Sequence, residues 1–228
     1  MNLRNQLGTA QRGRGFSTLE LLLVMAVSLV IAAFALPGFE QVKRTLRISG
    51  DARNLNGAIN QAKMQAAADF TETRVYIDLG ANNINTFHVD MWNKVNNCWQ
   101  VIGDDFTKRP CLVPGVSPVQ YLSQGVSFGT GGVAAPPVNT QIAIRQGPGG
   151  FSCAPVNGKR VGQQPTTACI QFNSRGIPID INNGGVPTGN GAFYITDNTQ
   201  TYGVTVGAAG LSQVWANNIK GNTNWYRK

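Results

Sequence analysis

The chain has 228 residues, of which 42% are hydrophobic and only 13% are charged. That apolar fraction is enough for a packed core and excludes wholesale disorder, and the length suits one domain with an appendage. The 27 glycines and 11 prolines are typical of a turn-rich β protein rather than a helical bundle. A net charge of +8 is too modest to indicate a nucleic-acid binder by itself, and a single histidine leaves little material for a metalloenzyme.

The amino-terminal part divides into a basic leader and an apolar run. Residues 1–15 contain no acidic residue and three arginines, which are Arg4, Arg12 and Arg14. Residues 21–36 (LLLVMAVSLVIAAFAL) are uncharged, and the stretch from Phe16 to Leu36 reaches the ~20 residues that span a bilayer. We expect the arginines to hold the leading end in the cytoplasm, so that the chain crosses the inner membrane once with its carboxy-terminal part in the periplasm.

Glu20 interrupts this apolar stretch near its start. A secretory signal peptide would explain the basic leader and the small residues Ala32, Ala33 and Ala35, whereas a plain membrane anchor would explain the length. Neither explains a carboxylate, which costs about 3 kcal/mol to insert at the centre of a spanning helix. An acidic residue in this position therefore indicates a function.

The junction Gly15-Phe16-Ser17-Thr18-Leu19-Glu20, followed at once by the apolar run, resembles the class III signal of type IV pilins and pseudopilins. The resemblance implies that a prepilin peptidase cuts after Gly15, removes residues 1–15 and methylates the new amino terminus at Phe16. It also implies that Glu20 is the glutamate that serves filament assembly. Pro37 falls where many pilins have a proline that kinks the helix.

Physical chemistry agrees with those roles. The free amino group of Phe16 would lie about one helical turn from Glu20, and the glutamate of a neighbouring subunit can neutralise it in apolar surroundings. Such a pair would set the axial register of each subunit that joins a filament. Extraction of the helix from the membrane needs energy, and nothing in the chain resembles an ATPase. We therefore expect an inner-membrane assembly platform with a separate ATPase motor.

Helical periodicity continues beyond Pro37. Leu55, Ile59, Ala62 and Ala66 follow one another at helical spacing and form one apolar stripe, with the neighbouring charges, Asp51 included, mostly off it. The pattern predicts one long helix over residues 16–69, bent near Pro37, with a transmembrane half over residues 16–36.

Residues 70–228 form the predicted globular body, in which strand patterns replace helical ones. The candidate strands are residues 73–79, 85–92, 120–128, 141–145, 169–172, 193–197 and 202–206, and the candidate loops are residues 129–137, 147–150 and 182–191, with a turn over residues 78–83. The expected fold class is α+β, with the long helix packed on an antiparallel sheet.

The body is similar to the GspH/FimT/FimU subgroup of pilin-like proteins. The resemblance lies in the helix that leads into Thr73-Arg74-Val75-Tyr76-Ile77 and in a strand followed by an F-x-x-x-G turn at residues 172–176. It implies a minor pilin of type IV pilus assembly, whose partners are other pilins in a filament. A pseudopilin of a type II secretion system, a major pilin and a DNA-binding pilin of natural transformation are the alternatives.

Four cysteines lie beyond the apolar run, in an oxidising compartment if the topology is as expected. Four cysteines permit three connectivities, and proximity in the chain favours Cys98–Cys111 and Cys153–Cys169. Each bond would be worth about 3 kcal/mol on the chain-entropy model. A four-thiolate metal site is the alternative, but the chain has no C-x-x-C pair, and we expect neither metal nor cofactor.

Catalytic chemistry finds little support in the sequence. His88 stands alone between apolar neighbours, as at an ordinary strand position, and the adjacent Asp104 and Asp105 are typical of a solvated loop. No nucleophile-elbow, Walker or dinucleotide motif is present. We do not expect an enzyme.

DNA binding would have to use the carboxy terminus. Some pilins of the subgroup bind DNA through a G-R-x-R motif, which this chain lacks in its body. The aromatic and basic residues that would have to replace it are Lys220, Trp225, Tyr226, Arg227 and Lys228. Two or three cations neutralise too few phosphates for firm binding, so a basic tail with Trp225 and Tyr226 packed on the body is favoured.

Overall fold

The computed structural model describes residues 16–79, 85–113, 116–131, 133, 153, 167–189, 191–218 and 224–228. The chain divides into two compact units, Met1–Lys43 and Arg44–Lys228. The first holds the start of a long helix, and the second holds the rest of that helix together with two antiparallel sheets. The α+β class predicted from the sequence is confirmed.

Helix α1 spans Thr18–Ala68. The Ser17 hydroxyl caps its start, because it accepts a hydrogen bond from the Leu19 amide at 3.3 Å, and Glu20 in the first turn suits the positive end of the helix dipole. Phe70 ends the helix with a positive φ of 49°, and the Thr71 amide donates back to the Ala66 carbonyl at 3.2 Å. Pro37 lies within α1, but its side chain is outside the described part of the chain, so the bend there stays a prediction.

The strands of the second unit build two sheets. The first sheet has the order β3-β2-β1-β6-β7-β8, with β4 also paired to β2, and the second has the order β12-β11-β10-β9-β5. The strand bounds are β1 Thr73–Asp78, β2 Thr86–Asn93, β3 Cys98–Val101, β4 Gln120–Tyr121, β5 Ser127–Phe128, β6 Thr167–Phe172, β7 Pro178–Asp180, β8 Val186–Pro187, β9 Gly191–Thr196, β10 Gln200–Val206, β11 Ser212–Asn218 and β12 Tyr226–Arg227, with a short 3-10 helix at Ile181–Asn183.

The core of the second unit lies between α1 and both sheets. The predicted stripe is confirmed as core, because its four residues are fully buried: Leu55, Ile59, Ala62 and Ala66. Val75 and Ile77 of β1 meet it from the first sheet, and Phe193 and Ile195 of β9 from the second. Since side chains alternate along a strand, the residues between these point to the opposite faces of the sheets.

The predicted single strand over residues 120–128 is wrong. The segment supplies β4 to the first sheet and β5 to the second, and the chain turns between them at Gly125, whose φ is +83°. Asp51 of α1 fixes that turn, because its carboxylate accepts hydrogen bonds from the Ser123 amide at 2.9 Å and hydroxyl at 3.0 Å. Asp51 is accordingly buried.

Other strand predictions differ in extent. The predicted loop over residues 182–191 contains β8, and four strands without clear alternation escaped the sequence patterns: β3, β7, β11 and β12. The candidate strand over residues 141–145 and the loop over residues 147–150 lie outside the described residues.

Gly210 lies where a turn of the second sheet packs closely against a turn of the first sheet. It lies in the turn between β10 and β11 with φ at +70°, and an added Cβ would stand 2.8 Å from the Gly176 carbonyl oxygen in the β6–β7 turn. Lys63 of α1 lies beside both glycines, and its ammonium donates to the Ala209 carbonyl at 3.5 Å. The side chain of any other residue would therefore displace one turn from the other.

We expect Gly210→Ala to lower the free energy of unfolding by about 1–3 kcal/mol, since strain at positive φ adds to the backbone clash. Gly57→Ala is the contrasting variant, because Gly57 is helical and a Cβ there meets open space. That change should stabilise the protein by about 1 kcal/mol. Chemical denaturation measures both, and equal unfolding midpoints for Gly210→Ala and the unchanged protein would contradict the assigned packing.

Candidate functional site

The apolar half of α1 exposes its large side chains in the structure. Every residue from Phe16 to Ala35 is exposed, and Phe16, Leu29 and Phe34 each expose more than 70% of their surface. Soluble proteins rarely present so long a contiguous apolar surface, which marks a contact with lipid or with other protein. By length and composition, α1 is the one described helix that could cross a membrane, a test that signal sequences near an amino terminus also pass.

Glu20 and Phe16 are placed at the head of this helix. Phe16 lies two residues before α1 begins, and Glu20 occupies its first turn. Both are exposed, and within the described residues no basic side chain forms a salt bridge with Glu20. An unpaired carboxylate among exposed apolar side chains is an open position for a cation. Gly15 lies outside the described residues.

A buried ion pair lies on the opposite side of the first sheet from α1. Arg74 of β1 and Asp90 of β2 face each other across the strands, and the Arg74 Nε donates to Asp90 Oδ2 at 2.8 Å. Both side chains are fully buried. The guanidinium carbon lies 4.5 Å from the ring centre of Tyr76 and 4.0 Å from that of Trp99, so two aromatic faces enclose the charge.

His88 extends this cluster. It lies in β2 as predicted, opposite Tyr76, and its Nε2 is 3.1 Å from Asp90 Oδ1. Burial lowers the pKa of the Arg74 guanidinium, although the negative charge of Asp90 acts in the opposite direction and raises it. Burial alone would raise the pKa of Asp90, but His88 and Arg74 outweigh it and hold that pKa below its ordinary value. The arrangement keeps a charge pair in place between the two strands.

The prediction that Asp104 is solvated is wrong. Its side chain is only 1% exposed and contacts Arg109 Nη2 at 2.6 Å, while the Ser117 hydroxyl donates a hydrogen bond to it at 2.7 Å. Burial alone would raise its pKa, but the hydrogen bonds from Ser117 and the Asp105 amide and the charge of Arg109 lower it. Asp105 is more exposed and pairs with Lys108 at 3.1 Å. This network fixes the loop that follows β3.

The cysteines form two disulfides in the structure. They join Cys98 to Cys111, with Cα atoms 5.6 Å apart, and Cys153 to Cys169, with Cα atoms 5.7 Å apart. These are the pairings that proximity in the sequence favours. The first ties the start of β3 to the loop after it, and the second ties residue 153 to the middle of β6. Among the described residues, no three His, Cys, Asp or Glu side chains are grouped closely enough to hold a metal ion.

The carboxy-terminal residues differ in how far they are buried. Tyr226 and Arg227 make up β12, which pairs with β11, while the ring of Trp225 packs 5.7 Å from that of Tyr194. Burial raises the pKa of Tyr194 to about 12. Tyr226, Arg227 and Lys228 remain exposed, with the Lys228 ammonium 5.1 Å from the ring centre of Tyr226. Of the expected packing, only that of Trp225 is present, and Lys220 lies outside the described residues.

Sequence reasoning missed the buried pair of Arg74 and Asp90. Asp90 stands between Val89 and Met91, and Arg74 between Thr73 and Val75, so both read as polar positions on a solvated sheet face. The aromatic residues at Tyr76 and Trp99 were the one available signal, because an arginine flanked by aromatic strand positions is a candidate for cation–π contact.

Comparisons with known proteins return no match: no family model, no curated protein and no solved structure corresponds to this chain. The chain has a long amino-terminal apolar helix, and antiparallel sheet packs on the later part of that helix, an arrangement compatible with a pilin fold.

Proposed function

We propose that the chain is a type IV pilin-like structural subunit, most closely a minor pilin of the GspH/FimT/FimU kind, that joins a filament through its amino-terminal helix. One observation carries the proposal: the exposed, uncharged apolar helix is headed by Glu20, four residues after the Gly15-Phe16 junction. A plain anchor has no use for that carboxylate, whereas a filament subunit does.

The proposed assembly step is an ion pair between subunits. Cleavage after Gly15 leaves an ammonium group on Phe16, and the exposed Glu20 of the neighbouring subunit accepts it in apolar surroundings. Pairing removes two isolated charges at once, so only helices in the correct axial register gain it. Methylation of the amino group leaves its positive charge in place.

The same helix serves storage before assembly. It holds the subunit in the inner membrane, with the sheets in the periplasm, until a motor on the cytoplasmic side drives extraction through the assembly platform. The body contributes the surface of the filament or its tip. Buried pairs and disulfides hold that body together where no membrane supports it.

The cleavage step is tested by Gly15→Leu. We expect this variant to accumulate in the inner membrane as an uncleaved precursor, because a side chain at the scissile position blocks the peptidase. Gly13→Leu, two residues upstream in the same leader, is the matched control and should be processed normally. Immunoblots of membrane fractions separate precursor from mature chain, and mature Gly15→Leu protein would show that the junction is misassigned.

A further inference from the structure

Arg44 and Arg47 form an exposed basic pair in the first turn of the second unit. They are three residues apart in α1, on adjacent positions of the helix surface. Both are exposed, and in the described part of the chain neither forms a salt bridge. Leu46 between them is 66% exposed. The two guanidinium groups therefore lie on one side of the helix without an ion-pair partner among the described residues, and Leu46 is exposed in the same turn.

The position of this pair relative to the apolar run is unusual. Arg44 follows Leu36 by eight residues in the sequence. Basic residues close to the far end of a spanning segment oppose its translocation. With Lys43 and Arg53, four cations lie within seventeen residues of Leu36, against three arginines in the leader. Such a distribution is unfavourable unless the cations gain an interaction after they have crossed.

We propose that Arg44 and Arg47 bind the anionic headgroups of phospholipids at the periplasmic face of the inner membrane while the subunit is stored there. This inference rests on the membrane-anchored stage of the proposed function. A guanidinium fork matches the phosphate oxygens of a headgroup, and the exposed Leu46 enters the boundary between headgroups and acyl chains. The chain length after Leu36 brings long arginine side chains within reach of that layer.

Headgroup binding has a consequence for assembly. The contact is available only to the stored subunit, since a subunit in the filament has left the bilayer. The arginines therefore hold the body near the membrane surface until extraction, in addition to the hydrophobic anchor. Screening by salt should weaken this contact and leave the anchor unaffected.

The test measures the reactivity of the guanidinium groups in the full chain. The protein is reconstituted into vesicles of phosphatidylcholine, or of phosphatidylcholine mixed with phosphatidylglycerol, and treated with phenylglyoxal, and modification is followed by peptide mass spectrometry. Modification of Arg44 and Arg47 should be about fivefold slower in the anionic vesicles, and high salt should restore the rate. Arg175 and Arg227, which are also exposed, serve as internal controls with unchanged rates. Equal rates at Arg44 and Arg47 in both vesicles overturn the proposal.

A second arm separates lipid from protein as the ligand. The double variant R44Q/R47Q should join filaments as readily as the charge-matched R175Q/R227Q. If only R44Q/R47Q fails to join, the arginines serve a contact between subunits, which overturns the lipid assignment and leaves the proposed function standing. Absence of the unchanged chain from filaments would instead refute the proposed function, whatever the vesicles show.

Discussion

Replacing Asp90 by Asn should lower the free energy of unfolding by about 3–5 kcal/mol, because it removes the carboxylate charge that pairs with the buried Arg74 at 2.8 Å. Arg74 is completely buried and lies against Tyr76 and Trp99, so it cannot reach water without opening the sheet. Loss of the carboxylate paired with a buried guanidinium is among the most destabilising changes that one substitution can make. Urea denaturation of the full chain in detergent measures the effect.

Asp105→Asn is the matched control. It removes the same charge from a half-buried carboxylate that pairs with the solvent-exposed Lys108 and accepts hydrogen bonds from Thr107, which an asparagine oxygen can still accept. Surface pairs of this kind contribute little, so the unfolding midpoint should stay where it is. A midpoint for Asp90→Asn that equals that of Asp105→Asn would show that Arg74 is not held by Asp90.

The same pair predicts the direction of the pH dependence. The pKa of Asp90 is lower in the folded protein than its ordinary value, so its contribution to stability is fully present above the ordinary pKa of about 4 and is lost as the pH falls through the folded pKa. The pKa of Asp104 is lowered in the same direction. We expect the unchanged protein to lose stability steadily below about pH 4, and Asp90→Asn to lose less over that range. Unfolding curves recorded from neutral to acidic pH compare the two, and identical slopes would argue against the assignment.

Glu20→Leu should reduce recovery of the subunit in filaments by about a hundredfold, since an ammonium group left unpaired in apolar surroundings costs several kcal/mol. Insertion into the membrane and cleavage after Gly15 should be unaffected, because leucine suits the apolar run. Quantitative immunoblots of sheared filaments and of membranes provide the two measurements.

Glu40→Leu controls for the loss of a carboxylate from the same helix. Glu40 lies twenty residues further along α1, is exposed and bridges Lys43 at 3.7 Å. We expect that variant to enter filaments normally. Normal incorporation of Glu20→Leu would contradict the proposed ion pair between Glu20 and the amino group of Phe16 in a neighbouring subunit.

The sequence predicts those parts of the fold that local periodicity controls. The long helix and its buried stripe were predictable because residues such as Leu55 and Ile59 repeat at helical spacing, and β1 because its alternation continues without a break from Thr73. Residues 120–128 were wrongly predicted as one strand, because their period-two pattern continues across two short strands that belong to different sheets. The turn between those strands is revealed only by the tertiary contact of Ser123 with Asp51.

The charged residues of the second unit and of the apolar helix also differ in whether local sequence reveals them. Glu20 stands out in sequence because a charge in an apolar run is conspicuous. Asp90 and Asp104 do not, because burial and pairing of a carboxylate depend on residues distant in sequence, such as Arg74 and Ser117. Sequence patterns therefore located the proposed assembly segment but not the buried charges that stabilise the body.

The central claim is that the mature chain begins at Phe16 and is a filament subunit. The most direct measurement is mass spectrometry of filaments sheared from the native cells, with a search for the amino-terminal peptide and for its abundance relative to other subunits. The account predicts a peptide that begins at methylated Phe16 and is present at a small fraction of the main subunit. A chain that retains Met1, or is cut near Ala35 and found free of the membrane, would contradict it.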